Sequence, residues 1–197
     1  MTDPTLLELF QRLGVVTHGH FVLSSGRHSD EYWEKFRLLE WPRVTQQLCE
    51  RIAEYYRTAA IEAVVGPTTG GALLAQEVAR QLDTRCLIAE PALINQGREL
   101  RRGFTLRANE RVLIVDDVLT TGLSLRETLA AVERYAPNIV GIAVMIDRSG
   151  DNDAHQFGVP YHALLTISAA SYAPQECPLC TQGIPIVKPG TRGALTG

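Results

Sequence analysis

The stretch Val112-Leu113-Ile114-Val115-Asp116-Asp117-Val118-Leu119-Thr120-Thr121-Gly122-Leu123-Ser124 decides how this chain is read. It opens with four aliphatic residues in a row, three of them β-branched, which predicts a strand buried on both faces, as in a parallel sheet. Two aspartates follow, then a turn of small hydroxyl-bearing residues, and from about Leu125 a helical pattern. In open α/β sheets, ligands lie beyond the carboxyl ends of the strands. A turn that opens a helix offers backbone N–H groups, hydroxyls and the positive end of the helix dipole to a phosphate. The aspartates then face the uncharged or cationic part of the same ligand, such as ribose hydroxyls or hydrated Mg2+. The motif suits a sugar phosphate. An ordinary strand-to-helix turn with Asp117 or a threonine as N-cap accounts for one of these residues and leaves the other polar groups idle.

The flanking sequence repeats the same order. Upstream, Ile61 to Val65 reads as a core strand, Gly66-Pro67-Thr68-Thr69-Gly70-Gly71 as a tight loop, Ala72 to Leu82 as a helix and Arg85 to Ala89 as a strand. Glu90 to Phe104 has no clean period and is expected to be a long loop or a flexible hairpin; it carries Arg98, Glu99, Arg101 and Arg102. Downstream, the helix runs to about Tyr135. Ile139 to Ile146 is a strand ending in Asp147-Arg148-Ser149-Gly150, and Tyr161 to Ile167 is a last strand. Residues 4–13 and Trp41 to about Arg57 show helical patterns, with Val44, Leu48, Ile52 and Tyr55 or Tyr56 inward. His20 to Leu23 leads into a polar loop, Ser24 to Ser29, and Tyr32 to Leu39 is either strand or irregular. The repeated strand–loop–helix order predicts an α/β fold: a doubly wound parallel sheet with helices on both faces.

Residues 1–197 form one expected domain, long enough to bury a substantial core. Residues 1–40 and the Pro- and Gly-rich tail 168–197 are expected to cap the sheet. Hydrophobic content of 45% and charged content of 21% are those of a globular protein. A net charge of −3 gives no reason to expect nucleic-acid or anionic-membrane binding. No apolar run approaches the roughly 20 residues that span a bilayer. Met1-Thr2-Asp3-Pro4 lacks the order of a signal peptide, so a cytoplasmic location is expected. Four cysteines do not suggest a disulfide scaffold, and Cys49 and Cys86, among apolar residues, read as core thiols.

Two further places carry candidate chemistry. The Gly66–Gly71 loop ends a core strand, and its glycines allow backbone N–H groups close to an anion. Arg148, beyond a strand end, can hold a planar carboxylate or carbonyl bidentately; the competing assignment is a surface ion pair with Asp147 or Asp151, of little energetic weight.

The 112–124 stretch resembles the PRPP-binding motif of type I phosphoribosyltransferases: a hydrophobic run, two acidic residues, then T-T/A-G-x-S/T. The run Phe21-Val22-Leu23-Ser24-Ser25-Gly26-Arg27-His28-Ser29, followed by Tyr32, is similar to the F-x-L-x-S-G-x-x-S-x-Y signature of orotate phosphoribosyltransferases. Asp147-Arg148 matches that family's orotate-contacting D-R pair. The tail from Cys177-Pro178-Leu179-Cys180 to Lys188-Pro189-Gly190-Thr191-Arg192 is similar to the ending of a short bacterial branch. The resemblance implies transfer of the phosphoribosyl group of PRPP to orotate, with Mg2+, by a homodimer. It implies that Asp116 and Asp117 hold the ribose hydroxyls and order Mg2+ through PRPP and water. Val118 and Leu119 would belong to the PRPP-binding run, Thr120, Thr121, Gly122, Leu123 and Ser124 would bind the 5'-phosphate, and Thr68, Thr69, Gly70 and Gly71 the pyrophosphate. Thr120, Arg148, Ser25 and Gly26 would meet orotate.

The chain departs from that family's pattern where lysines are usual. Ser24 precedes the Ser-Gly pair, Thr68-Thr69 occupies the pyrophosphate loop, and residues 86–106 contain no lysine or histidine. Arg98, Arg101 or Arg102 would then supply the catalytic positive charge beside the leaving pyrophosphate. Two alternatives are a phosphoribosyltransferase for another base and a PRPP-binding regulator with weak catalysis. Cys177-x-x-Cys180 is half of a zinc site. His155 and His162 are available, but their spacing does not point to them, so zinc is not expected at Cys177 and Cys180.

Overall fold

The computed structural model describes residues 4–23, 26–94, 96–150, 155–167 and 170–187. Six strands form the central sheet in the order β5-β4-β3-β6-β7-β8: β3 (Ala63–Pro67), β4 (Arg85–Pro91), β5 (Arg98–Leu100), β6 (Arg111–Leu119), β7 (Asn138–Asp147) and β8 (Tyr161–Thr166). All neighbours are parallel except β5, which runs antiparallel to β4 at the sheet edge. The helices are α1 (Pro4–Arg12), α2 (Phe36–Leu39), α3 (Pro42–Tyr56), α4 (Gly70–Leu82), α5 (Leu123–Glu133) and α6 (Pro178–Thr181). A second, small sheet joins β1 (Val16–Val22), β2 (His28–Trp33) and β9 (Ile186–Val187) in the order β2-β1-β9.

Strand β6 shows why both faces of the large sheet are covered. Successive side chains of a strand point to opposite faces. Leu113 and Val115 enter one core with Leu48 and Ile52 of α3, Leu74 and Val78 of α4, and Leu6 and Phe10 of α1. Val112 and Ile114 enter the other, with Leu125, Leu129 and Val132 of α5. A strand with apolar groups on both sides reads as an unbroken hydrophobic run, and that run is what the sequence carries.

The elements fall where the periodicity placed them, with four refinements. β3 continues through Gly66 and Pro67, and α4 starts at Gly70, so the expected six-residue loop narrows to Thr68 and Thr69, joined by a cis peptide bond. His28 and Ser29, expected in a polar loop, belong to β2 and pair across the hairpin with Val22 and Phe21. Tyr32 to Leu39 is split between the end of β2 and the short helix α2. The aperiodic 90–104 stretch contains a hairpin: Arg98, Glu99 and Leu100 register against Pro91, Glu90 and Ala89. A three-residue edge strand is too short to show a period, and Pro91 is tolerated at the end of a strand near a sheet edge. On α3 it is Tyr56 that is buried, while Tyr55 is exposed and stacks on His162 with ring centroids 3.9 Å apart.

The narrow β3–α4 connection requires a residue without a side chain at Gly66. A Cβ there would lie 2.0 Å from the Gly71 carbonyl oxygen and 2.5 Å from its carbon. Both are backbone atoms that cannot swing aside. Gly66→Ala is therefore expected to cost about 3 kcal/mol, a melting point lower by roughly 6–12 °C for a chain of this size. A calorimetric melting point within experimental error of the parent would refute this account of the turn.

Candidate active site

The carboxyl ends of β3, β6 and β7 lie side by side, and each supplies one part of the site. From β6 come Asp116 and Asp117, both buried. Asp116 Oδ1 accepts the Asp117 N–H at 2.8 Å, and Asp117 Oδ1 accepts the Val118 N–H at 2.7 Å. These local bonds fix both carboxylates against the strand end. The turn then reverses through Gly122, in the left-handed region at φ 75°, and α5 begins at Leu123. A cavity of about 250 Å³ opens here, lined by Asp116, Val118, Leu119 and the whole run Thr120 to Leu125. Thr121 Oγ1 accepts the Leu123 N–H at 3.4 Å, and Arg126 donates to the Thr121 carbonyl, which braces the loop from one turn into the helix.

The β3 loop packs directly on the aspartates. A Cβ on Gly70 would fall 1.7 Å from Asp117 Oδ2, and one on Gly71 would fall 2.8 Å from Asp116 Oδ1. Glycine at both positions is what lets this backbone approach the acidic pair. From the 98–100 edge strand, Arg98 reaches the same loop. Its Nη1 donates to Thr68 Oγ1 at 3.2 Å and to the Ala89 carbonyl at 3.0 Å, and its Nε lies 3.6 Å from Glu127 of α5. Arg101 and Arg102 are held elsewhere. Arg102 binds Glu90 through two hydrogen bonds of 2.6 and 3.1 Å, and Arg101 lies 3.5 Å from Glu90 and 3.7 Å from Glu99. The Arg102 guanidinium holds the Glu90 carboxyl below its ordinary range. Of the three expected arginines, the structure thus brings Arg98 alone onto the β3 loop.

Arg148 follows β7. Its N–H donates to the Leu119 carbonyl at 2.8 Å, which ties it to the β6 turn. Asp147, one of the two partners of the ion-pair alternative, does not engage the guanidinium; its Oδ1 accepts the Ser149 N–H at 2.8 Å. The Arg148 guanidinium sits over the Trp33 ring of β2, 5.7 Å from the centroid. Burial pushes its pKa below the ordinary value, and its Nε has no hydrogen-bond partner among the described residues. Gly26 lies in the β1–β2 loop at φ 77°, while Ser25 and Asp151 lie outside the described residues.

One site residue was missed by the sequence reading. Lys35, between β2 and α2, places its Nζ 3.0 Å from both carboxylate oxygens of Asp117, hydrogen-bonding Oδ1. Oδ2 is within ion-pair distance but has no hydrogen bond of its own. A signal was present: Lys35 and Lys188 are the only lysines in a chain otherwise built on arginine.

The structure also shows which histidines lie near the two cysteines. His155 lies beside the Tyr161 ring and His162 stacks on Tyr55; neither belongs with Cys177 and Cys180. The histidines that do are His20 and His28. The sequence reading missed them because they lie some 150 residues upstream, brought in by the small sheet. Cys49 is a core thiol as expected, its pKa pushed up to about 12 by burial.

Burial, and then the charge of Asp117, push the Asp116 carboxyl up to about 7. In the unfolded chain it titrates near 3.8. Between these values the folded state keeps a proton that the unfolded state has lost, so stability falls as pH rises through this window. Below pH 3.8 the penalty is absent, and above about 7 it is complete. Asp116→Asn is thus expected to melt higher than the parent at pH 8, with the difference shrinking toward pH 4.5. A pH-independent difference would show that Asp116 is not the group responsible.

Comparisons with known proteins fall in the same place. Residues 37–161 match the family model described as phosphoribosyl transferase domain. The chain is 44% identical to an orotate phosphoribosyltransferase of Pelotomaculum thermopropionicum over 98% of this chain and 99% of that protein. It is 43% identical to one of Thermotoga petrophila over 94% and 97%. Among solved structures, orotate phosphoribosyltransferase from Aeropyrum pernix superposes with a TM-score of 0.70 at 28% identity, covering 82% of this chain and 93% of that one. The Mycobacterium tuberculosis enzyme, in complex with inorganic phosphate, gives 0.65 at 26% identity, covering 82% and 94%. With an acidic pair, a glycine loop and a half-buried arginine at adjoining strand ends, and with these relatives over nearly its whole length, the chain belongs to the orotate phosphoribosyltransferase family.

Proposed function

We propose that the protein transfers the phosphoribosyl group of PRPP to N1 of orotate, giving orotidine 5'-phosphate and pyrophosphate in cytoplasmic pyrimidine synthesis. The observation that carries this reading is the gathering of Asp116-Asp117, the Thr68–Gly71 loop and Arg148 at the adjoining carboxyl ends of β3, β6 and β7, with Arg98 bound to Thr68. In the reaction N1 forms a bond to C1' as the bond from C1' to the pyrophosphate oxygen breaks, the N1 proton leaves to solvent or to the departing pyrophosphate, and positive charge develops at C1'. Positioning and electrostatic stabilisation supply most of such a rate enhancement.

The parts have distinct tasks. The N–H groups and hydroxyls of Thr120 to Ser124, at the start of α5, take the 5'-phosphate. Asp116 and Asp117 accept from the ribose hydroxyls and face the developing cation. Thr68 to Gly71 present backbone groups to the pyrophosphate, and Arg98 neutralises its charge as it leaves. Arg148, with unspent donors and an aromatic ring behind it, takes the orotate carboxylate or carbonyls, helped by Thr120 and by the Ser25-Gly26 turn. Mg2+ suits this donor set, because Asp116 and Asp117 bring hard carboxylate oxygens to the carboxyl-terminal part of β6. When bound through PRPP and water, it supplies charge neutralisation at the pyrophosphate. Lys35 holds Asp117 in its place. The small sheet β2-β1-β9 caps a single domain, and the protein works as a homodimer. Arg98 answers the absence of a loop lysine, and this favours an enzyme over a PRPP-binding regulator.

Following orotate absorbance with PRPP and Mg2+, with uracil and hypoxanthine as rival acceptors, tests the proposal. Consumption of orotate alone is expected; turnover of another base in its place would overturn the assignment. Arg98→Ala is expected to lower kcat by on the order of 10²-fold, with Arg102→Ala close to the parent. Equal losses in the two variants would contradict the role given to Arg98. Arg148→Ala removes a charged hydrogen-bonding group of about 1.5–3 kcal/mol, so KM for orotate is expected to rise roughly 10- to 100-fold while KM for PRPP holds. A selective loss of PRPP affinity instead would move Arg148 out of the orotate pocket.

A further inference from the structure

The small sheet holds a cluster that the transfer reaction does not use. His20 near the end of β1, His28 at the start of β2, and Cys177 and Cys180 around the first turn of α6 turn their side chains to one point. All four donor atoms lie within 4.8 Å of one another, and among the described residues no other group of histidines, cysteines and carboxylates is gathered in this way. His20, His28 and Cys177 are buried and Cys180 is exposed.

We propose that His20, His28, Cys177 and Cys180 bind one zinc ion of structural type. Thiolates at about 2.3 Å and imidazoles at about 2.0 Å from a tetrahedral zinc stand roughly 3.3–3.8 Å from each other. Here Cys177 Sγ is 3.6 Å and Cys180 Sγ 3.7 Å from His20 Nε2, and Cys180 Sγ is 3.3 Å from His28 Nδ1. The two facing nitrogens are 2.8 Å apart, and this edge opens by about half an ångström to reach the zinc polyhedron. The tautomer of His20 is already set for the task. Its Nδ1 lies 2.7 Å from the Ile184 carbonyl, which can only accept, so Nδ1 carries the proton and Nε2 keeps its lone pair. Such an outer hydrogen bond is the usual orienting partner of a metal-bound imidazole. Two nitrogens and two sulfurs suit zinc rather than a hard cation, and four protein donors leave no open position for catalysis. On binding, both thiols lose their protons and His28 carries its single ring proton on Nε2.

The surroundings show what the ion is for. The C-terminal part of the small sheet has little else to hold it. β9 is two residues long, Ile184, Ile186 and Val187 are exposed, and α6 buries no side chain. A metal joining this segment to the β1–β2 hairpin supplies folding energy that so small an apolar contact does not. Its two histidines also bracket the 23–27 loop, which contains Gly26.

Elemental analysis of the purified full-length protein, after dialysis against metal-free buffer, is expected to find about one zinc per chain. Replacing it with Co2+ is expected to give the intense visible bands of a tetrahedral site with a thiolate charge-transfer band. Cys180→Ser, at an exposed position, and Cys177→Ser are each expected to lower the zinc content well below one. Cys49→Ser and Cys86→Ser should keep it. Less than about 0.1 zinc per chain in the parent, an octahedral cobalt spectrum, or a Cys177–Cys180 disulfide in the mass spectrum of the native protein would each overturn the proposal. The measurements on the parent protein decide the matter even if a cysteine variant does not fold.

Discussion

Two carboxylates end the central strand, and the backbone of the neighbouring loop is pressed against both of them. Because β3 and β6 are adjacent and parallel, with Val65 paired to Ile114, the end of β3 comes level with the acidic pair of β6, and the spacing between the two is a property of the sheet itself. Gly70 and Gly71 close the remaining gap. The contact has an electrostatic cost: two acidic groups share a buried position, and burial with the neighbouring charge raises the Asp116 carboxyl to about 7. Lys35 offsets part of that cost from outside the sheet. The small sheet and the large one are thus linked by charge as well as by packing, through Lys35 to Asp117 and through Trp33 to Arg148.

The large sheet was legible because its signals are local. Strand β6 has aliphatic residues on both faces, and helices α3, α4 and α5 each repeat an apolar stripe. The acidic pair, the hydroxyl turn and the glycine loop each occupy a few consecutive residues, so their chemistry can be read without knowing the fold. What escaped the reading depends on distance along the chain. Lys35 meets Asp117 across 82 positions, and His20 meets Cys177 across 157. No period or short motif records such a pairing. The 90–104 stretch reads as either loop or hairpin for a different reason: its second strand has three residues, all half-exposed, so neither alternation nor burial marks it.

Arginine gives this site a different character from one built on lysine. A guanidinium offers donors in a fixed plane and engages several partners at once. Arg98 uses that property to bind Thr68 and the Ala89 carbonyl while lying beside Glu127. It is therefore positioned by the fold, where a lysine on a free loop would be a mobile point charge. Arg101 and Arg102 serve the hairpin itself by gripping Glu90, so the cationic run divides into one residue bound to the β3 loop and two that hold the hairpin.

The pairing of β1 with β9 bears on the order in which the molecule assembles. His20 and Ile184 are 164 residues apart in sequence, whereas β3 and β4, and β6 and β7, are each joined by a single crossover helix. Contacts between distant segments carry the greatest entropy of loop closure and form slowly. Folding therefore begins in the β3–α4–β4 and β6–α5–β7 units. The small sheet is completed last, when the final strand finds a partner already held in place. Until then the edge of β1 is unpaired, and the intermediate that carries it is the species most open to association with another strand.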